Sequence, residues 1–159
     1  MSGILGIDPG LSGALALLEV TGALEVVDIP TLTIGTKRHV DEYALARIID
    51  DWSKRISEVW IEQVGTRPGE GAVGAFTFGK GYGVLRGICA ANFLPMRDVT
   101  PAAWKRSLKI TGDKDESRAR ASSHFPRHAG LWTRKKDDGR AEAALIALYG
   151  SRETFRGAA

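Results

Sequence analysis

Apolar and polar positions divide the chain into strand-like runs followed by helix-like ones. Ile4-Leu5-Gly6-Ile7 is a compact apolar run that ends in Asp8-Pro9-Gly10. Gly13 to Val20 and Leu24 to Ile29 are two more apolar runs, separated by Thr21-Gly22-Ala23, and read as a hairpin that extends the first run into an antiparallel meander. Residues 30 to 40 read as a loop carrying Lys37, Arg38 and His39. Asp41 then stands as an N-cap, with Leu45, Ile48, Ile49 and Trp52 at the i, i+3, i+4, i+7 spacing of an amphipathic helix. Ser57 to Val64 is the next predicted strand, and Gly65 to Gly74 is a glycine-rich connection containing Arg67.

The segment Ala75 to Asn92 is the least conventional. Gly79, Gly81, Gly83 and Gly87 each cost roughly 1 kcal/mol in a helix relative to Ala. Yet Val84, Leu85, Ile88 and Cys89 keep helical spacing, and Ala75, Gly79, Gly83, Gly87 and Ala91 recur at every fourth position. The pattern predicts a helix with one face stripped of bulk, packed closely on the sheet or on a second copy of itself; a long glycine-rich loop is the alternative. Leu94 to Val99 reads as a short strand, and Thr100-Pro101 opens a helix carrying Trp104, Lys105, Arg106 and Lys109. Thr111-Gly112-Asp113 breaks it. Lys114 to Phe125 forms a polar helix stopped by Pro126, residues 127 to 136 form a basic loop ending in Arg134, Lys135 and Lys136, and a last helix runs from Asp137-Asp138 to Gly150.

Composition narrows the class. A chain of 159 residues with no internal repeat suits one domain with its own core, and about eight residues at its end read as a loose tail. A single cysteine, Cys89, excludes an internal disulfide framework and fits a reducing compartment. No run has the apolar length of a bilayer span, so a cytoplasmic protein without a membrane partner is expected. The net charge of +3 hides an uneven distribution. Residues 63–136 hold 14 basic and 5 acidic side chains, an excess of +9, whereas residues 1–62 hold 5 and 10. Such a basic middle suits a polyanion; the competing reading is a surface balanced by partners distant in sequence.

The candidate chemistry lies in carboxylates at the ends of apolar elements. Asp8 follows the first strand and Glu62 follows Trp60-Ile61, so a parallel pairing would bring them together at a carboxyl edge. Asp138 and Glu142 lie one helical turn apart, about 5 to 6 Å between Cβ atoms. Four converging acids must take up protons or bind cations. Oxygen ligands without thiolate or paired histidine suit Mg²⁺ or Mn²⁺, and two such ions about 4 Å apart can hold a phosphodiester, activate water and stabilise the leaving oxygen. Taken singly, Asp8 also suits an Asp-Pro-Gly turn, and Asp138 and Glu142 suit compensation of a helix dipole.

In order, Ile4 to Gly10, Ile61-Glu62-Gln63-Val64, Val99-Thr100-Pro101 with Lys105, Asp113-Lys114, and Asp138 to Ala147 resemble the motifs of the RuvC family of Holliday junction resolvases. The resemblance spans residues 4 to about 150. It implies an α/β ribonuclease H-like fold, with a five-stranded mixed sheet, three strands antiparallel and two parallel, flanked by helices. It further implies a homodimer that nicks a four-way DNA junction symmetrically in recombination and repair. On that resemblance Asp8, Glu62, Asp138 and Glu142 are metal ligands, two Mg²⁺ or Mn²⁺ per site, and Lys105 and Lys114 face phosphate, Lys114 steadying charge near the scissile group. The glycine-rich helix corresponds to the family's dimer helix. Phe76 and Phe78 lie where the family stacks aromatics on unpaired bases; core packing is the other reading of both rings. Lys80, Arg106, Lys109, Arg134, Lys135 and Lys136 complete the expected DNA-binding set.

One motif departs from the bacterial pattern, which closes the site with two Asp three apart. Here the spacing is four and the second acid is Glu, as in phage-encoded relatives, and either Asp137 or Asp138 can be the ligand. A nuclease for branched or flapped DNA, or a junction-binding protein without cleavage, uses the same features. Gly6 to Gly13 also resembles the phosphate loop of actin-like ATPases, but those need a second such domain that 159 residues cannot supply.

Overall fold

The computed structural model describes residues 3–66 and 69–156, so Arg67 lies outside the described residues. Five strands form the main sheet: β1 (Gly3–Asp8), β2 (Ala14–Glu19), β3 (Leu24–Asp28), and, beyond a small hairpin of β4 (Thr31–Ile34) and β5 (Lys37–Val40), the strands β6 (Ile56–Glu62) and β7 (Met96–Val99). Their order is β3-β2-β1-β6-β7. The first three are antiparallel, whereas β6 runs parallel to β1 and β7 parallel to β6. This is the mixed sheet that the sequence resemblance implies.

Alternation along the strands sorts the core into two layers. Leu5, Ile7, Leu15, Leu17, Val59 and Ile61 face α1 (Glu42–Ser53) and α2 (Ala72–Ala91), against Leu45, Ile49 and Leu85. Ile4, Ala14, Ala16, Leu18 and Trp60 face the other way, against Ala143, Ala144 and Ala147 of α5 (Asp138–Arg156). Helix α5 owes its close approach to small residues on both sides. A Cβ at Gly6 would stand 2.3 Å from the Ala143 carbonyl oxygen and 2.4 Å from the Ala147 nitrogen, so the helix backbone rests directly on β1. Helices α3 (Pro101–Ser107) and α4 (Lys114–His124) complete that layer, with Trp104, Ala121 and Trp132 buried against α5.

The caps follow the sequence. Asp41 accepts from the Ala44 N–H at 3.0 Å, Thr100 from that of Ala103 at 3.2 Å, and Asp113 from those of Asp115 and Glu116.

Three segments differ from expectation, and for a fourth one of two expected packings is excluded. Residues 30–40 are not a loop: Thr31–Ile34 and Lys37–Val40 pair antiparallel around Gly35, whose φ of +63° suits a two-residue hairpin turn. Their alternation is hard to read because both faces of the ribbon carry polar side chains. The basic stretch 127–136 is largely wound into 3-10 turns over Pro126–Trp132 and Lys135–Asp137. Helix α5 continues past Gly150 to Arg156. Finally, the small-residue stripe of α2 does not pack on the sheet. A Cβ at Gly79, Gly83 or Gly87 would meet nothing within 4 Å, while the helix turns Leu85 and Cys89 inward.

A polar cluster ties β6 to the layer above it. Glu58 accepts from Trp60 Nε1 at 2.9 Å, from Thr154 Oγ1 at 2.7 Å and from Arg97. Burial alone would raise the Glu58 carboxyl, but the bonds from Arg97, Thr154 and Trp60 outweigh it and hold it below its ordinary value. A carboxylate depressed in the folded state adds stability above its unfolded value and loses it as pH falls through the folded one. Glu58→Gln is therefore expected to cost about 1 kcal/mol at pH 7. In urea unfolding curves the difference from wild type should begin to shrink as pH falls through the ordinary Glu value of about 4.3 and vanish once the folded carboxyl is itself protonated. An equal difference at every pH would remove the charge from the explanation.

Candidate active site

The parity of the strands sets the site. Ile7 pairs with Ile61 across the parallel β1–β6 ladder, so Asp8 and Glu62 follow at adjacent strand ends. Because Gly6 and Trp60 face α5, Asp8 and Glu62 fall on that face too. Helix α5 starts there, with Asp138 in its first turn and Glu142 one turn on. Gly139 makes this possible, since a Cβ there would stand 2.4 Å from the Ser12 carbonyl oxygen and 3.1 Å from Asp8 Oδ2. Asp8, Glu62 and Glu142 line one open cleft of about 810 Å³ together with Lys105 and Lys114.

The electrostatics follow from this crowding. Burial, then the charges of Glu142 and Glu62, push the Asp8 carboxyl well above its ordinary range, while Lys114 and Lys105 act the other way. Glu62 accepts from Trp104 Nε1 at 2.7 Å. Glu142 lies 3.7 Å from Lys105 Nζ, and Asp138 lies 3.6 Å from Lys114 Nζ and 3.1 Å from Arg118 Nε. Sequence reasoning missed Trp104 and Arg118 as neighbours of the acids. For Arg118 a signal exists: it follows Lys114 by four residues and so shares its face of α4.

The two neighbouring aspartates are held differently. Asp137 is held by Arg134 through Nε and Nη2, each at 2.9 Å, with Arg140 3.9 Å away. The Arg134 hydrogen bond draws the Asp137 carboxyl below its ordinary value. Asp138 instead shares Lys114 with the cleft.

The remaining sequence candidates scatter. Phe76 is 75% exposed and so is not core, while Phe78 lines the cleft and stacks on Tyr82 with ring centroids 6.4 Å apart. Lys80 is turned towards Glu42, 3.9 Å away, and belongs to a different hollow beside β5. Arg106 and Lys109 are exposed around the end of α3, outside the cleft lining. Lys135 is exposed as well, and Arg134 and Lys136 border a separate depression beside the Leu11–Gly13 loop.

A divalent cation can be tested against these groups. Among the described residues, no three or more His, Cys, Asp or Glu stand in an arrangement that holds a metal as they are. Asp138 and Glu142 are engaged instead by Arg118, Lys114 and Lys105. The donor chemistry nevertheless fits. All four acids offer hard oxygens, and Asp138 Oδ1 is a buried atom without a hydrogen bond despite its ion pair. The crowding that raises Asp8 is also what a dication would relieve.

A five-stranded mixed sheet in this order, flanked by helices, is the ribonuclease H-like architecture. Two solved structures share it over nearly the whole chain. Thermus thermophilus RuvC in complex with Holliday junction substrate matches with a TM-score of 0.66 and 17% identity, covering 98% of this chain and 96% of that one. A second structure of Thermus thermophilus RuvC matches with a TM-score of 0.60 and 16% identity, covering 96% of each chain. No family model matches the sequence, and no curated protein matches it significantly. The fold of this chain is therefore that of RuvC.

Proposed function

We propose that this protein is a metal-dependent, structure-selective endodeoxyribonuclease that resolves four-way DNA junctions by paired symmetric nicks, in recombination and repair. The observation that carries the reading is the meeting of Asp8 and Glu62 at adjacent strand ends with the first turn of α5, in a cleft edged by lysines. Asp8, Glu62, Asp138 and Glu142 would hold two Mg²⁺, with Mn²⁺ able to substitute. When bound, such ions polarise a phosphodiester and make water a competent nucleophile near neutral pH. The chain's own part is positional. Lys105 stands 3.7 Å from Glu142 and Lys114 3.6 Å from Asp138; with cations held by those acids, both ammonium groups would be free to face phosphate oxygens at the cleft wall. Phe78, on the same wall, offers a ring face to an unpaired base.

A second reading, a junction-binding protein without cleavage, is favoured by one observation: Asp138 and Glu142 spend their charge on Arg118, Lys114 and Lys105. One assay separates the two. On four-way, three-way and linear duplexes with and without Mg²⁺, the nuclease reading expects metal-dependent nicks in the four-way junction at symmetric positions. Binding without nicks under every divalent ion tried supports the second reading. Nicks spread equally over flaps and three-way forms would replace strict resolution by a broader branched-DNA nuclease.

Symmetric nicks need a two-fold protein, and we place the dimer contact on α2. Its open stripe of Gly79, Gly83 and Gly87 leaves room for a second backbone, with Val73 and Phe76 exposed on the same helix. Gly83→Leu should strengthen the isolated helix yet weaken the dimer at least tenfold, read by light scattering across a concentration series. An unchanged dimer would move the interface elsewhere.

A further inference from the structure

The β4–β5 hairpin plays no part in the function proposed above, yet it forms part of the cleft. Lys37 and Arg38 line it, together with Asp8, Lys105 and Lys114. The hairpin follows β3 at one edge of the sheet, whereas α3, which carries Lys105, follows β7 at the other. The two basic groups thus approach the acids from opposite sides. Face alternation anchors the ribbon: Val40 packs where a Cβ on Gly81 of α2 would touch it at 3.1 Å, and Arg38, on the same face, donates from Nη2 to the Leu11 carbonyl. Arg38 is thereby fixed beside the loop that leaves Asp8. Lys37 makes no ion pair or side-chain hydrogen bond among the described residues.

The positive surface does not stop at the cleft. Arg38 also borders the neighbouring depression, of about 290 Å³, which includes Arg134, Lys136 and Arg140. Its two carboxylates are already matched: Asp28 by Arg140 through two bonds of 2.7 Å, and Asp137 by Arg134. What is left is an unbalanced line of charge, Lys37, Arg38 and Lys136, leading out of the cleft over the Leu11–Gly13 loop. A line of cations spaced along a groove is what a nucleic-acid backbone recognises, with phosphates rather than bases as its targets.

Resting on the nuclease reading for the identity of the ligand, we propose that Lys37, Arg38 and Lys136 form a second phosphate track, which takes the backbone of a duplex DNA arm leaving the cleft on the side away from Lys105. The hairpin serves as a rigid bracket for the track, and Arg38 couples it to the Asp8 loop.

The test uses the whole protein and an immobile four-way DNA junction without divalent ion, so that no cutting intervenes. Affinity is measured from roughly 50 to 200 mM salt for wild type, Lys37→Ala, Lys37→Ala/Lys136→Ala, Lys37→Arg and, as a control away from the cleft, Lys54→Ala. Lys37→Ala is expected to weaken binding several-fold and to lower the slope of log K against log salt by about 0.9, the double variant by about twice that, with Lys37→Arg near wild type. Thermal unfolding should be unchanged in all of them. A double variant that keeps the wild-type slope, or loses no more than Lys54→Ala, overturns the track. If wild type binds with that salt signature but never nicks the junction in Mg²⁺, the nuclease reading fails and the track stands. If wild type nicks the junction and the variants bind it as wild type does, the track alone fails.

Discussion

Glu62→Gln and Asp8→Asn are each expected to abolish nicking while leaving junction binding within a few-fold of wild type. Both substitutions keep the shape of the side chain and remove its charge. The amide oxygen introduced by Glu62→Gln can still accept from Trp104 Nε1, so the local packing survives. On the nuclease reading, what disappears is an anionic oxygen ligand. Metal clamps of this kind supply several kcal/mol of transition-state stabilisation, so the nicking rate should fall by roughly 10³-fold or more. For Asp8 the folded protein should even gain, because its carboxyl is pushed up by burial and by Glu142 and Glu62. A slightly raised midpoint of unfolding beside lost activity is the signature of a site kept at a cost to stability. Single-turnover nicking of a synthetic junction, paired with a urea titration, checks both halves. Wild-type rates from either variant would remove that acid from the chemistry.

Gly6→Ala is expected to be among the most damaging single substitutions in the fold, although it adds one methyl group. That carbon would overlap the backbone of α5 at Ala143 and Ala147, and backbone cannot move aside as a flexible side chain can. Overpacking of this kind costs about 3 kcal/mol, which at this chain length lowers the melting temperature by about 6 to 12 °C. The helix can relieve the clash only by lifting from β1, and lifting carries Asp138 and Glu142 away from Asp8 and Glu62. Calorimetry and the nicking assay should therefore fail together. A Gly6→Ala protein that melts like wild type would mean that α5 does not rest on β1 as described.

The architecture was legible in the sequence wherever one face of an element is buried. The run Ile4 to Ile7, the hairpin around Thr21-Gly22-Ala23, and the spacing of Leu45, Ile49 and Trp52 all state their partners through periodicity, and Asp41, Thr100 and Asp113 state where helices begin. That β1 and β6 end side by side was likewise readable, because each carries its acid just past an apolar run. Legibility ended where burial no longer sorts the residues. The β4–β5 ribbon is mostly exposed, so Leu32 and Ile34 gave no core signal and the segment read as a loop. The stripe on α2 named a close contact but not its partner. Helical spacing put Arg118 on the Lys114 face of α4, but that this face meets Asp138 depends on how α4 lies across α5, a tertiary fact.

The dependence of the cleft on α5 also has a temporal side. A chain emerging from the ribosome displays Asp8 and Glu62 long before Asp138 and Glu142 have been polymerised, and until the last helix docks, Ile4, Ala16 and Leu18 lack their cover. The nascent protein thus carries two of its four clustered acids on an unfinished layer. Whatever hydrolytic power the acids confer can arise only at completion, in the same event that closes the core.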